Sequence, residues 1–141
     1  SWEMIEQSAD TLKTLADPDF IYIVRKNDDR RPIAFVVCIP NFNEALAHLN
    51  GRLLPFGILK LLYWKNRIKS LRVMMQFCVR DFEKKAAVSA AYLGIMEKAI
   101  EKGYVWGDAS TIGEENTRSW QAVMGAGGKL HRKFRMIEKN L

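Results

Sequence analysis

The stretch that most constrains the fold is residues 70–104, where a strand pattern is followed by a charged turn and a helix pattern. The apolar residues of the strand recur with a period of two, which predicts one fully apolar face: Leu71, Val73, Met75, Phe77 and Val79. Those of the helix recur at three- and four-residue steps: Val88, Ala91, Ile95, Ala99 and Ile100. Gly103 marks the end of the helix. Because a helix start leaves N–H groups unpaired at the positive end of its dipole, the turn before this helix predicts a phosphate site.

The remaining periodicities predict an α/β (α+β) chain with a mixed central sheet flanked by helices. A β-rich hairpin is expected from two strands joined by a polar loop at 26–31, and they should pair antiparallel. The other predicted elements precede or follow this hairpin and the central strand along the chain. In chain order the elements are a helix at 4–16, strands at 20–25 and 32–39, helices at 43–49 and 55–65, the central strand and helix, a strand at 104–110, a helix at 114–124 and a strand at 129–139.

Length and composition favour a single domain over residues 1–141, since 48% of the residues are hydrophobic. The net charge of +6 fits either a solvated surface or an anionic partner, and residues 60–72 and 129–139 are locally basic. Residues 51–64 are apolar but too short to cross a bilayer, and Pro55 and Gly57 interrupt them. With no secretory signal, we expect a cytoplasmic protein without a membrane partner. Because the chain starts at Ser1 and not at Met, we also expect it to be the C-terminal portion of a larger protein.

The residues that could bind metal or nucleic acid follow no specific pattern. Cys38 and Cys78 fall inside predicted strands, where a thiol behaves as a small apolar side chain. Together with His48 and His131 they show no metal-ligand spacing, so no metal is expected. The four tryptophans are interleaved with basic residues, but aromatic residues at helix and strand spacing are usually core, so nucleic acid is not an expected partner.

The order of elements and two short segments resemble the GNAT (N-acetyltransferase) superfamily. The closer similarity is to a divergent bacterial GNAT-like group with a helical insertion before the fourth strand. The segments are Asn-Gly-Arg-Leu-Leu-Pro at 50–55 and Gly-Ala-Gly-Gly-Lys at 125–129. The resemblance covers nearly the whole chain and implies a GNAT-like sheet whose first strand is missing here.

The resemblance implies a site for the coenzyme A pyrophosphate at the turn before the long helix. There the family has Gln/Arg-x-x-Gly-x-Gly/Ala, and the matching positions in this chain are Lys84, Ala87 and Ser89, which all depart from that pattern. The other cofactor-binding positions that the resemblance implies are in the same turn, on the preceding strand and in the next helix: Lys85, Ala86, Val88, Phe77, Cys78, Val79 and Asn116. Backbone amides near Phe77, Cys78 and Val79 would stabilise the developing oxyanion.

The implied function is acyl-CoA-dependent N-acyl transfer, from acetyl-CoA or another acyl-CoA to an unidentified amine. The tyrosine that acts as the acid in the family is replaced by Val123, which cannot donate a proton, and the sequence assigns no catalytic residue. Asp108, Glu114 and Glu115 are candidate bases by position only, since such carboxylates are more often solvated or capping, and an asparagine near a helix start, such as Asn116, is more often a local cap than a ligand contact. The alternative is a non-catalytic GNAT-like structural or interaction module, completed by an upstream domain or by a second copy.

Overall fold

A four-stranded mixed sheet with the strand order β1-β2-β3-β4 organises the chain. The computed structural model describes residues 3–4, 6–7, 16–49, 51 and 56–139, with the backbone alone for Lys84 and Lys85. The strands are β1 (Ile21–Arg25), β2 (Pro32–Pro40), β3 (Ser70–Cys78) and β4 (Trp106–Asp108). The α-helices are α1 (Phe42–Ala47), α2 (Gly57–Lys65), α3 (Ala87–Glu101) and α4 (Thr117–Gly125). Short 3₁₀ helices span Pro18–Phe20 and Arg80–Lys85.

The predicted hairpin and mixed sheet are confirmed. β1 pairs antiparallel with β2, β2 antiparallel with β3, and β3 parallel with β4. The excursion between β2 and β3 is helical, as expected, and is fixed to the sheet by Glu44 of α1. Its carboxylate accepts hydrogen bonds from the Lys69 amide, at 2.9 Å, and from the Ser70 hydroxyl. This contact positions the start of β3.

The prediction that β3 has one continuous apolar face is wrong, because a bulge interrupts the alternation. Val37 of β2 pairs with Met75 and Cys38 pairs with Val73, so Met74 is an extra residue without a pairing partner in β2. One extra residue moves every later side chain to the opposite face of the strand. Met75 and Phe77 consequently lie on the outer face, 41% and 55% exposed, and Phe77 stacks on Phe35.

The main core lies between the sheet and α3. Its buried residues come from the 3₁₀ helix before β1, from β2, β3 and α3: Phe20, Val36, Cys38, Leu71, Ala91, Tyr92 and Ile95. Gly94 permits this packing, because a Cβ there would lie 2.2 Å from Cε1 of Tyr22 on β1. Ile100, which the helical pattern placed on the apolar stripe, is exposed in the last turn of α3.

The starts of two helices and one predicted strand differ in the structure. The chain makes a 3₁₀ turn after β3, so α3 begins at Ala87, and α4 begins at Thr117, later than the predicted residue 114. The predicted strand at 129–139 is wrong: these residues form neither helix nor strand, and Met136 and Ile137 are almost fully exposed. A strand needs a neighbour for its backbone hydrogen bonds, and none pairs with this segment in the described part of the chain. The predicted helix at 4–16 lies largely outside the described residues, although residues 3–4 and 6–7 are helical.

Candidate functional site

The candidate site begins where β3 and β4 separate. The two strands pair at only three positions, from Ser70 opposite Trp106 to Arg72 opposite Asp108. Beyond Arg72, the described residues provide no strand on that edge of β3, while the other edge stays paired with β2 as far as Cys78. The second half of β3 therefore presents an open edge.

Of the three predicted oxyanion amides, that of Val79 is engaged in the sheet. Its N–H donates to the Ile33 carbonyl at 2.8 Å. Hydrogen-bonded and non-hydrogen-bonded pairs alternate along an antiparallel ladder, so the Phe77 amide also points towards β2. The same alternation directs the amides of Gln76 and Cys78 to the open edge. Of the three predicted positions, Cys78 is therefore the one whose N–H is directed to the open edge of β3.

A half-buried polar pair lies beside this open edge. The bulge at Met74 turns Gln76 towards α3, where its Oε1 accepts a hydrogen bond from the Tyr92 hydroxyl at 2.6 Å. Tyr92 is buried, and desolvation raises the pKa of its hydroxyl above the ordinary value, with a smaller contribution from Cys38. The hydroxyl therefore keeps its proton at neutral pH.

The helix α3 starts shortly after the open half of β3, following the 3₁₀ turn. Ala86 lies in the left-handed region, with φ 55° and ψ 19°, and provides no side-chain cap for the helix. The first helical hydrogen bond, from the Ala90 amide to the Ala86 carbonyl, is 2.9 Å long. The N–H groups of residues 87–89 precede this bond and point out of the helix end. This end of α3 is electropositive and suits an anionic group.

The side chains of the predicted pyrophosphate turn serve different roles. Ala87 is buried against Ile33 and Ala34, so its methyl group packs in the core while its backbone remains at the helix start. Ser89 lies at the contact between α3 and α4, where a Cβ on Gly125 would be 3.6 Å from its Oγ. Val88 packs partly against the core, and Lys84 and Lys85 occupy the preceding 3₁₀ turn. Glu83 of that turn forms a 3.0 Å ion pair with Arg118 of α4.

An apolar cavity of about 320 Å³ lies beside the middle and last turns of α3, between this helix, the first half of β3, β4 and the end of α4. Cys38 and Val73 line it from the sheet, Tyr92 and Ile95 from α3, and Val123 from α4. Its walls suit an alkyl chain or a pantetheine-like arm more than a charged group.

The end of α4 explains the glycine-rich segment at 125–129. Gly127 has φ 88°, its amide donates to the Met124 carbonyl, and that of Gly128 donates to the Val123 carbonyl, both at 3.0 Å. These two bonds form a Schellman motif. A Cβ on Gly128 would lie 2.6 Å from Cγ1 of Val123, so the glycine allows the chain to turn closely over this helix.

Asn116 is exposed and acts as a cap, which is the alternative that the sequence had left open. Its Oδ1 accepts a hydrogen bond from the Ser119 amide at 3.2 Å, at the start of α4. This bond uses the side chain within its own helix end.

The three candidate bases lie apart. Asp108 ends β4 and accepts a 2.8 Å hydrogen bond from the Ser110 hydroxyl, while Arg72 donates to the Ser110 carbonyl at 3.2 Å. Glu114 and Glu115 are exposed in the turn before α4. Asp108 is therefore the candidate placed where β3 and β4 diverge.

The cysteines are unsuited to nucleophilic chemistry. Burial raises the pKa of the Cys38 thiol to about 12, and burial and the charge of Glu83 raise the pKa of the Cys78 thiol. Because the thiolate is the reactive form, both act as core thiols.

Among the described residues, no group of three or more His, Cys, Asp or Glu side chains is arranged to hold a metal ion. None of the described helices is long and apolar enough to span a bilayer.

Sequence reasoning missed Gln76 and Tyr92, which form the polar pair of the site. The available signal was weak: Tyr92 carries a hydroxyl on the apolar stripe of α3, one residue after Ala91, and Gln76 is a polar residue in an apolar strand. Only the bulge brings their side chains together.

Known proteins resemble this chain in sequence and in fold. It is 32% identical over 139 residues to Protein YghO of Escherichia coli (strain K12), covering 94% of this chain and 35% of that protein. It is 30% identical over 142 residues to a bacterial ceramide synthase of Caulobacter vibrioides (strain NA1000 / CB15N), covering 96% of this chain and 36% of that protein. The chain thus spans about a third of the length of these curated relatives.

A solved structure supports the fold assignment. The crystal structure of TTHA1254 from Thermus thermophilus superimposes with a TM-score of 0.53, covering 93% of this chain and 81% of that one. At 13% sequence identity, this likeness establishes a shared fold alone. No family model matches the chain.

Proposed function

We propose that the chain is a GNAT-like acyl-CoA-dependent N-acyltransferase domain, which transfers an acyl group from coenzyme A to an amine. The observation that carries the proposal is the open edge of β3 between an uncapped helix start and an apolar cavity. The name of the Caulobacter relative supports the reaction class, because a ceramide is an amide formed by N-acylation. A co-substrate with a diphosphate and an apolar arm matches the electropositive and apolar parts of the site.

In the proposed complex, the pyrophosphate accepts hydrogen bonds from the amides of residues 87–89 at the start of α3. The arm follows the open edge of β3 towards the cavity. The thioester carbonyl then lies within reach of the Cys78 amide, which would stabilise the oxyanion as the amine nitrogen attacks. Arg118 and the backbone of the 3₁₀ turn lie at the diphosphate end.

Acyl transfer needs a proton for the departing sulfur. The amine nitrogen forms a bond to the carbonyl carbon and the carbon–sulfur bond breaks. The nitrogen loses one proton to water, the thiolate gains one from a protein donor, and that donor recovers its proton from water. Val123 has no proton to give, whereas the Tyr92 hydroxyl lies beside the open edge, where it is hydrogen-bonded to Gln76. We assign it the role of proton donor in this proposal.

A binding experiment with a charge-only pair of variants tests the proposal. Ala86 is exposed, and aspartate and asparagine both tolerate its left-handed backbone. Isothermal titration with coenzyme A and acetyl-CoA should show binding to the wild type and to Ala86→Asn. Ala86→Asp should bind at least about tenfold more weakly, because its carboxylate meets the diphosphate, and the difference should shrink at high salt. Ala87→Asp is a poorer probe because Ala87 is buried.

The second candidate is a non-catalytic GNAT-like module within a larger protein. Its specific support is that Lys84, Ala87, Ser89 and Val123 all depart from the family pattern, and that Val123 packs against the core. Absence of coenzyme A binding at millimolar ligand would favour this module over the enzyme. Equal affinities of Ala86→Asp and Ala86→Asn would place any binding elsewhere on the molecule.

A further inference from the structure

The helix α2 exposes an apolar surface that the proposed acyl transfer does not use. Its inward side is fixed by Gly57, which is buried, by Leu61, which is half-buried, and by Trp64, whose ring stacks on His48 at 3.6 Å. These positions follow the helical spacing i, i+4 and i+7. The opposite side, which we call the α2 face, is between 51% and 69% exposed. It consists of Phe56, Ile58, Leu59, Leu62 and Tyr63.

The sequence that contains the α2 face is basic. Between Glu44 and Asp81 the sequence contains no aspartate or glutamate, but it contains seven lysine and arginine residues. Lys60 and Lys65 lie on α2 itself, and both are exposed. Within the described part of the chain, neither of them forms an ion pair. Arg67 follows the helix, with its guanidinium 3.8 Å from the centre of the Tyr63 ring.

A helix that is apolar on most sides is normally covered by protein or by lipid. Lysine is depleted at protein–protein interfaces, because its ammonium group loses hydration there. An exposed apolar face with lysines and without acidic residues instead matches helices that lie in a membrane surface, where phosphate headgroups receive the cations. Charge complementarity therefore selects an anionic lipid surface as the occupant.

We propose that the α2 face docks on the surface of a bilayer that contains anionic lipid. Leu59, Leu62 and Phe56 enter the boundary between headgroups and acyl chains, while Lys60, Lys65 and Arg67 contact lipid phosphates. The contact is peripheral, in agreement with the absence of a membrane-spanning helix among the described residues. It is independent of coenzyme A binding and revises the expectation that no membrane is a partner.

Vesicle co-sedimentation of the 141-residue chain tests this docking. Phosphatidylcholine vesicles that contain phosphatidylglycerol should bind the chain at low salt, and pure phosphatidylcholine vesicles should bind it much less. Replacing both Lys60→Gln and Lys65→Gln should lower the partition coefficient about fivefold per lysine. Leu59→Glu should lower it at least about tenfold, since it removes apolar area and adds a repelling charge.

The matched control is Leu93→Glu, which makes the same change at another exposed helical leucine, on α3. It should leave vesicle binding unchanged, and circular dichroism should show that each variant is folded. If Leu59→Glu does not fold, the proposal is tested by the partition coefficient of the double variant Lys60→Gln and Lys65→Gln alone. The proposal is overturned if the wild type does not bind phosphatidylglycerol vesicles at low salt, or if Leu93→Glu and Leu59→Glu weaken binding equally. It is also overturned if the wild type instead forms a dimer that Leu59→Glu abolishes, which would give the α2 face to a second copy.

Discussion

The two halves of β3 differ in what surrounds them. At Leu71 and Arg72 the strand is paired on both edges, and Ser70, which pairs with Trp106 and accepts a hydrogen bond from the Asn41 amide, is buried together with Leu71. From Met75 to Cys78 it is paired on one edge, and its outer side chains are exposed. The bulge at Met74 separates the two halves. The first half is packed into the core, whereas the second leaves the backbone amides of Gln76 and Cys78 directed to an open edge, with the Tyr92–Gln76 pair beside it.

The largest expected effect is a loss of stability in the first half. Leu71→Ala should lower the free energy of unfolding by about 2–5 kcal/mol, because it leaves a cavity in the core below α3. Met75→Ala, in the second half, removes a side chain that is already 41% exposed and should cost less than about 1 kcal/mol. Denaturant unfolding followed by circular dichroism measures both. Similar losses would show that the halves do not differ in their contribution to stability.

The second-largest expected effect is a loss of activity when the residue that contacts the second half of β3, Tyr92, is changed. Tyr92→Phe keeps the packing but removes the hydroxyl, so the rate of thiol release from acyl-CoA in the presence of amines should fall about a hundredfold. Coenzyme A affinity should be unchanged, and stability should fall by only about 1 kcal/mol. A thiol assay and a parallel titration separate these quantities.

The control for this variant is Tyr104→Phe. Tyr104 also lines the cavity, but its ring packs edge-on against Phe20, with the ring centres 5.3 Å apart. It should retain most of the wild-type rate. An unchanged rate in Tyr92→Phe, or an equal loss in Tyr104→Phe, would refute the assigned role of Tyr92.

The smallest effect is expected at the far end of α3, where Lys102 bridges Asp17 at 2.5 Å and Asp19 at 2.7 Å. The hydrogen bond from Lys102 holds the pKa of Asp17 below its usual 3.8, and the bond to Asp17, followed by that to Asp19, raises the pKa of Lys102 above 10.5. The contribution of Asp17 is present above pH 3.8 and is lost as pH falls through its lowered pKa. That of Lys102 is present below pH 10.5 and is lost as pH rises through its raised pKa.

Lys102→Gln should therefore lower the melting temperature slightly near neutral pH, because all these groups are substantially exposed. The difference from the wild type should disappear in strong acid and again in strong base. Calorimetry across this pH range measures it. A difference that persists in strong acid would mean that packing, and not the ion pairs, explains the change.

The parts of the fold that depend on local signals could be predicted from the sequence. Gly103 ends α3 with φ 78°, the glycines at 127 and 128 end α4, and the hairpin forms between two β-rich runs. These features depend on backbone preferences of residues close together in the chain. The 3₁₀ turn that precedes α3 at Ala87 has no comparable local signal in the sequence.

The parts that depend on strand register could not be predicted. An extra residue such as Met74 has no signature in composition, and the alternating pattern at 71–79 is unbroken in the sequence. The face on which Gln76 lies, and hence its contact with Tyr92, follows from tertiary pairing alone. The alternation at 129–139 predicted a strand, but a strand forms only with a neighbour, which the described residues do not supply.

The bulge also has a consequence for comparing this chain with its relatives. Strands that lack the extra residue are aligned correctly with one half of β3 and out of phase by one position with the other. An ungapped comparison would then place Gln76 on the outer surface and Phe77 beneath α3, the reverse of their positions here. A deletion of Met74 alone would instead remove the bulge and leave Gln76 beneath α3 and Phe77 on the outer surface, because Val73 and Met75 already pair with neighbouring residues of β2.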